Sequence, residues 1–236
     1  MSGLLTYEKF LNETSFLDVA IYYDYGVTQN TVVVWSNFFR KYFGAEPTQC
    51  GSGDFSYDKI KNCDLVVVPG GKGYQESLSM TEDDKAGLKR YVEDGGKLLA
   101  VCAGAFLVSQ DDSWSLGMVV LTQDESKKSH LSDEILHINF NVTDKGQEIF
   151  NTHLNEIKLR YHGGPVMTAV GNVEILLTFA DEVPHDTEIE DFSKGKVAAT
   201  YSAYGKGKIL TISPHIEKTE PANYLLANAV NYLIKY

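Results

Sequence analysis

The sequence predicts one α/β domain, a three-layer sandwich in which a largely parallel central sheet is covered by helices on both faces. Three observations carry that expectation. Short apolar runs rich in β-branched residues (LDVAIYY, CDLVVVPGG, KLLAV) alternate with amphipathic segments of helical length. Each of these runs ends in a turn or in a cluster of small residues. The 236 residues can bury a full core, and no linker, repeat or low-complexity tract divides them, so the domain is expected to span 1–236.

The elements follow in order. LDVAIYY (17–23) reads as a buried strand closed by a turn at Asp24, Tyr25 and Gly26. Thr28 or Asn30 is placed to cap TVVVWSNFFRKYFG (31–44), whose apolar positions suit a helix despite the β-branched start. CDLVVVPGG (63–71) is a second buried strand stopping at a Pro-Gly-Gly turn. Thr81 opens TEDDKAGLKRYVEDGG (81–96), with Asp84 three residues on, acidic groups in the first turn and Gly95–Gly96 at the end. KLLAV (97–101) is the third strand and runs into Cys102. LGMVVLT (116–122), EILHINF (134–140) and EIKLRY (156–161) read as strands, with 130–159 an inserted hairpin or an extension. NVEILLTFA (172–180) and KVAATYSAY (196–204) are further strands, the latter joined to KILTIS (208–213) by a hairpin through Tyr204–Gly205–Lys206–Gly207. PANYLLANAVNYLIKY (221–236) is a closing amphipathic helix.

Composition narrows the function classes. With 43 % hydrophobic and 22 % charged residues the chain is an ordinary globular protein. A net charge of -11 argues against nucleic acid or an anionic membrane as partner, because phosphates are bound by concentrated Lys and Arg. The 14 tyrosines are scattered and build no stacking platform. Cys50, Cys63 and Cys102 are odd in number and lack framework spacing, so a reduced, cytoplasmic setting is expected. The opening MSGLLTYEKFLNETSFLD has no basic stretch and does not read as a signal peptide. The sequons at Asn12 and Asn141 read as chance. His130 and His137 flank LSDEIL, with His153 beyond, but no Cys or carboxylate cluster completes a metal site, so neither metal nor cofactor is expected. The acidic runs 81–84 and 188–191 read as helix entry and exposed loop.

The chemistry gathers around GGKLLAVCAGAFLVS (95–109). Cys102 stands at the carboxyl end of a buried strand, where open α/β sheets place their ligand sites. Ala-Gly-Ala follows it, as a tight strand-to-helix turn requires, and the start of a helix favours negative charge on a sulfur. Free cysteine is also among the most buried residue types, and this stretch alone leaves the two readings balanced. In TISPHIEKTEP (211–221) another strand runs out, and residues two apart on extended chain share a side, so Glu217 can orient the His215 ring. The other ring nitrogen is then free for a thiol proton. In VVVPGGKGYQES (66–77) the glycines leave N–H groups unshielded; those of Gly70 or Gly71, with Ala103, are candidates for an oxyanion hole. The loop's other readings are a plain turn or a phosphate cradle, and the absence of Gly-Lys-Ser/Thr rejects a Walker loop. His162 beside Gly163–Gly164 can approach a ligand or sit in an ordinary turn.

Together, DVAIYYDYGVT, DLVVVPGGKGY, YVEDGGKLLAVCAGAF, YHGGP and GKGKILTISPHIE resemble, in order, the class I glutamine amidotransferase-like (flavodoxin-like) superfamily. Within it the chain is most similar to the domain at the N-terminus of eukaryotic biotin-protein ligases. The resemblance implies Cys102 as nucleophile, His215 as base, Glu217 as orienter and Gly70–Gly71 as oxyanion loop. It also brings Tyr25, Gly26, His162, Gly163 and Gly164 to the cleft rim.

Two departures qualify what the resemblance implies. Amidotransferases proper carry a polar residue four positions after the nucleophile; here that position is Phe106, so ordinary glutaminase activity is not expected. The Gly-Arg-rich adenylate loop and Lys-Trp-Pro-Asn motif of biotin ligases do not occur, so ligation by this chain alone is not expected either. The leading expectation is a cysteine-dependent hydrolase or amidotransferase-like enzyme acting on a small-molecule or amide substrate. Its rivals are a silent binding or regulatory module of the same fold and a PfpI-type hydrolase, which would place histidine where Ala103 stands.

Overall fold

The computed structural model describes residues 17–110, 112–122, 134–185 and 192–236. Its strands are β1 (Val19–Tyr22), β2 (Thr48–Cys50), β3 (Leu65–Val68), β4 (Lys97–Val101), β5 (Leu121–Thr122), β6 (Leu136–Val142), β7 (Glu156–Tyr161), β8 (Thr168–Ala169), β9 (Glu174–Phe179), β10 (Val197–Tyr204) and β11 (Gly207–Ile212). Its helices are α1 (Thr31–Phe43), α2 (Tyr57–Ile60), α3 (Gly73–Ser79), α4 (Glu82–Glu93), α5 (Ala103–Val108), α6 (Asp144–Phe150) and α7 (Asn223–Lys235), with a 3-10 turn at Ile216–Lys218. Nine strands form one sheet in the order β2-β1-β3-β4-β11-β10-β9-β6-β7. β2, β1, β3, β4 and β11 run parallel, and from β10 to β7 every pairing is antiparallel.

The apolar runs are continuous because the parallel strands are buried on both faces. Val19, Ile21, Leu65, Val67, Leu99 and Val101 join one core with Trp35 and Phe39 of α1 and Leu226 and Val230 of α7. The alternate residues Ala20, Tyr22, Val66, Val68, Leu98 and Ala100 join a second core with Leu88 and Val92 of α4 and Leu107 of α5. This is the α/β sandwich that the strand runs predict.

Local signals hold in most places. Thr81 and Asp84 form a reciprocal capping box at the start of α4. Burial works against ionisation of Asp84, but the N–H groups of Gly53, Thr81 and Phe55 and the Thr81 hydroxyl keep its carboxyl below the usual range. Asn30 occupies the cap position of α1, without a side-chain bond. The Tyr204–Gly207 hairpin forms as expected, with those two residues paired.

LGMVVLT departs from expectation. Only Leu121–Thr122 pairs, with Thr168–Ala169. Ahead of it, the N–H groups of Leu116, Met118 and Val119 turn onto the Leu107 and Val108 carbonyls. These apolar residues are buried by closing the end of α5 instead of joining a ladder. Of the 130–159 region, the described residues 134–159 are a sheet extension: β6 and β7 pair directly, but α6 lies between them in sequence. β2, α2, α3 and α6 are short and carry no long apolar period, so no sequence signal marks them. Asn12, His130 and the run 188–191 lie outside the described residues.

Candidate functional site

Because β1, β3, β4 and β11 are parallel neighbours, the segments that follow them emerge at one edge of the sheet. That edge therefore collects Gly26, Gly70–Gly71, Cys102 and His215.

Cys102 links β4 to α5 with φ 53° and ψ -102°, a conformation that non-glycine residues rarely adopt. The surroundings impose it. The Cys102 N–H donates to Ile212 of β11 at 2.8 Å, and its carbonyl accepts from Ala105 and Phe106 at 3.0 and 3.2 Å. Gly104 must be glycine: a β-carbon there would lie 2.2 Å from the Val68 carbonyl oxygen. Strain held by packing at a sheet edge is characteristic of functional positions. Cys102 is 4 % exposed, and its thiol donates a weak 3.8 Å bond to the His162 carbonyl.

His215 is fixed by its backbone. Its N–H donates to Arg160 at 2.8 Å, and its carbonyl accepts from the Thr219 hydroxyl at 2.6 Å. Nδ1 lies 2.7 Å from Glu217 Oε1, both side chains being buried. The predicted pairing is present, but its geometry differs from an extended segment. Ile216–Lys218 is a 3-10 turn, which brings Glu217 back toward the ring. Burial alone would lower the His215 pKa, yet the facing Glu217 carboxylate and Cys102 sulfur outweigh it and raise the value to about 10. The Nδ1 side belongs to Glu217.

The Gly70–Gly71 turn separates two small environments. A β-carbon on Gly70 would strike the His215 ring at 2.7 Å and come within 3.3 Å of Cys102 Cβ. One on Gly71 would lie 2.1 Å from the Gly26 carbonyl and 2.6 Å from Glu76 Oε1. Among the described residues, no acceptor takes the N–H of Gly70, Gly71 or Ala103. Such groups are available to a developing oxyanion.

Glu76, on α3, is a site residue that sequence reasoning misses. It is wholly buried, neither carboxyl oxygen has a protein partner, and burial together with the Cys102 sulfur raises its pKa far above the ordinary value. In sequence it is a polar residue shortly after a glycine turn, and no spacing marks it.

The expected rim is only partly assembled. Tyr25 is exposed, and its carbonyl accepts from Ser79. Gly26 lies against the backbone and Cγ of Glu76. His162 is exposed, and its carbonyl faces the Cys102 thiol. Gly163 has positive φ, and Gly164 packs on Ser213 and accepts from the Tyr161 hydroxyl at 2.6 Å. Phe106 is half-buried and, with Trp114, lies beside Gly73. Two clefts of about 350 and 300 Å³ lie elsewhere, one beside Cys63 and Tyr91, the other beside Lys85 and Trp114. Neither contains Cys102, and we place the candidate site by its chemistry, since surface concavity alone brings no reactive groups together.

Residues 17–128 match the family described as Biotin-protein ligase, N terminal. Over that stretch the chain is similar to this family. Among solved structures it is similar to a protein assigned as a GMP synthase component from Thermoplasma acidophilum, at 14 % identity and TM-score 0.64, covering 94 % of this chain and 97 % of that one. A glutamine amidotransferase is similar at 18 % identity and TM-score 0.62, with 90 % and 98 % covered. A β-galactosidase from Rahnella sp. R3 shares the fold at 17 % identity and TM-score 0.60, over 92 % of this chain but 31 % of that one. These likenesses establish the glutamine amidotransferase-like fold, which serves more than one activity. Among curated proteins no relative matches the chain.

Proposed function

We propose that this biotin-protein ligase N-terminal-type protein is a cysteine-dependent hydrolase or transferase acting on an amide or related acyl group. The observation that carries the reading is His215, held at 2.7 Å by Glu217 and gathered against Gly70 with a cysteine in a positive-φ elbow. With the proton on His215, the Cys102 sulfur attacks the substrate carbonyl carbon. The N–H groups of Gly70, Gly71 and Ala103 receive the oxyanion. The carbon–heteroatom bond breaks as His215 hands its proton to the leaving group, and water or another acceptor then releases the acyl group from sulfur.

A second reading, a silent ligand-binding or regulatory module, draws on the near-complete burial of Cys102, His215 and Glu217. One experiment separates the two. A panel of small amides and thioesters is offered to the native protein and to Cys102→Ala. Turnover and a covalent acyl adduct on Cys102, both absent from the variant, support the enzyme. Binding of a panel member that is indifferent to the substitution, with no adduct, supports the module.

A further inference from the structure

Glu76 has no place in the catalytic scheme, yet it is the most completely isolated acid near it. Both oxygens are shut from solvent and unpartnered, on the Gly71 side of the turn whose Gly70 side faces Cys102 and His215. The helix backbone is not short of alternatives here: the Ser79 hydroxyl already serves the Glu76 carbonyl and the Tyr25 carbonyl. An apolar residue of similar length would fill the space without burying an unmatched polar group. The groups that face Glu76 electrostatically are the Cys102 sulfur and, more weakly, the Tyr22 phenol, which bonds Ser79 at 2.5 Å. Neither can supply positive charge.

We propose that Glu76 is a positioning acid of the Cys102 site: an un-ionised carboxyl whose proton keeps the wall behind Gly71 neutral, so that the sulfur can carry negative charge. The inference rests on the hydrolase reading for its purpose, though not for its test. Two charges of one sign cannot share a buried pocket at low cost. If Cys102 is negative, Glu76 keeps its proton; if Glu76 ionises, negative charge on Cys102 is opposed. Removing the sulfur must therefore move the titration of Glu76, whereas a neutral residue in place of the protonated acid leaves the sulfur's surroundings unchanged in charge. Tyr22 is too weakly acidic to substitute, because burial pushes its hydroxyl up to about 12.

The test uses infrared titration of the protonated-carboxyl stretch in the whole protein, with Glu76→Gln identifying the band. The native protein should show the band at neutral pH, and Glu76→Gln should lack it. Cys102→Ala should shift its disappearance toward lower pH. Glu76→Gln, neutral and of the same shape, should retain Cys102 alkylation by iodoacetamide within about threefold of native. A band already absent at neutral pH overturns the proposal, as does a titration that Cys102→Ala leaves unmoved. Should Glu76→Gln not fold, the Cys102→Ala titration decides alone. Failure of every amide and thioester with the shift present would remove the hydrolase reading and leave the coupling standing.

Discussion

Two glutamates are buried on opposite sides of the Gly70–Gly71 turn, and they differ in company. Glu217 reaches His215 Nδ1 at 2.7 Å, whereas Glu76 reaches nothing. On the first side a histidine gains a proton against the penalty of burial; on the second a carboxyl is held un-ionised by it. Burial is common to both, so the partner decides which group carries the proton. The site thereby holds two protons, one on each side of a sulfur that would use them differently.

The largest expected effect comes from removing the partnered side. His215→Ala should slow Cys102-dependent turnover by about 10² to 10⁴-fold, the usual worth of a positioned acid–base group. Iodoacetamide labelling of Cys102 should fall with it. Cys50 and Cys63 supply internal controls, because burial raises both thiols, Cys63 to about 12, and neither adjoins His215. Equal labelling of all three cysteines in the native protein would return Cys102 to the role of a core residue.

Gly104→Ala tests the support that both sides share. Its β-carbon would sit 2.2 Å from the Val68 carbonyl, a backbone atom that cannot swing away. We expect a loss of about 3–5 kcal/mol in urea unfolding, at the severe end for single substitutions. A loss below about 1 kcal/mol, the ordinary value for a point substitution, would mean the elbow is looser than the close contact with β3 implies.

Stability against pH then contrasts the two glutamates directly. His215 changes from 6.5 in the unfolded chain to about 10 in the fold. Its contribution is full below pH 6.5 and is lost as pH rises through about 10, at no more than about 1.4 kcal/mol per pH unit for one proton. Glu76 is raised from 4.5, so above that pH the unfolded chain ionises while the fold keeps its proton, and stability again falls with rising pH. The substitutions nevertheless act oppositely. Glu217→Gln should destabilise the protein at pH 7 by about 1.5–3 kcal/mol and flatten the slope between pH 7 and 9. Glu76→Gln should stabilise it at pH 7, since an amide has no ionised form to exclude. Urea midpoints across pH 5–9 give both results, and a like-signed change at pH 7 would erase the distinction.

Much of this architecture is legible in the sequence for a physical reason. Strands buried on both faces must be apolar throughout, so LVVV and KLLAV stand out, and the parallel connections then fix which ends meet. The elbow is legible because steric closeness restricts the residue at Gly104, and His215–Glu217 because its members are near in sequence. Other features depend on tertiary context. Leu116 to Val119 is as apolar as a strand, yet its N–H groups close a helix. His162 contributes a carbonyl, which every residue possesses. Glu76 becomes unusual only once Gly26 and Gly71 are packed against it.

The smallest expected effect concerns Phe106, beyond both glutamates on α5. Its ring is half-buried with Trp114 beside Gly73, at the start of the helix that carries Glu76. An aromatic ring offers no hydrogen bond to the amide of a free glutamine, and an unmet polar group is costly to bury. The native protein should therefore hydrolyse glutamine poorly while accepting a more apolar amide. Phe106→Gln restores one donor and one acceptor, and a single added hydrogen bond contributes about 0.5–1.5 kcal/mol net. Glutaminase kcat/KM should rise accordingly, by at most about tenfold, and only while Cys102 is intact. A rise that survives Cys102→Ala would place the activity outside this site. No rise, with the apolar amide still turned over, would show that substrates approach Cys102 from the side away from α5. Robust glutamine turnover by the native protein, lost in Cys102→Ala, would show that Phe106 does not contact the substrate side chain, and specificity would then rest on the turn and the two acids flanking it.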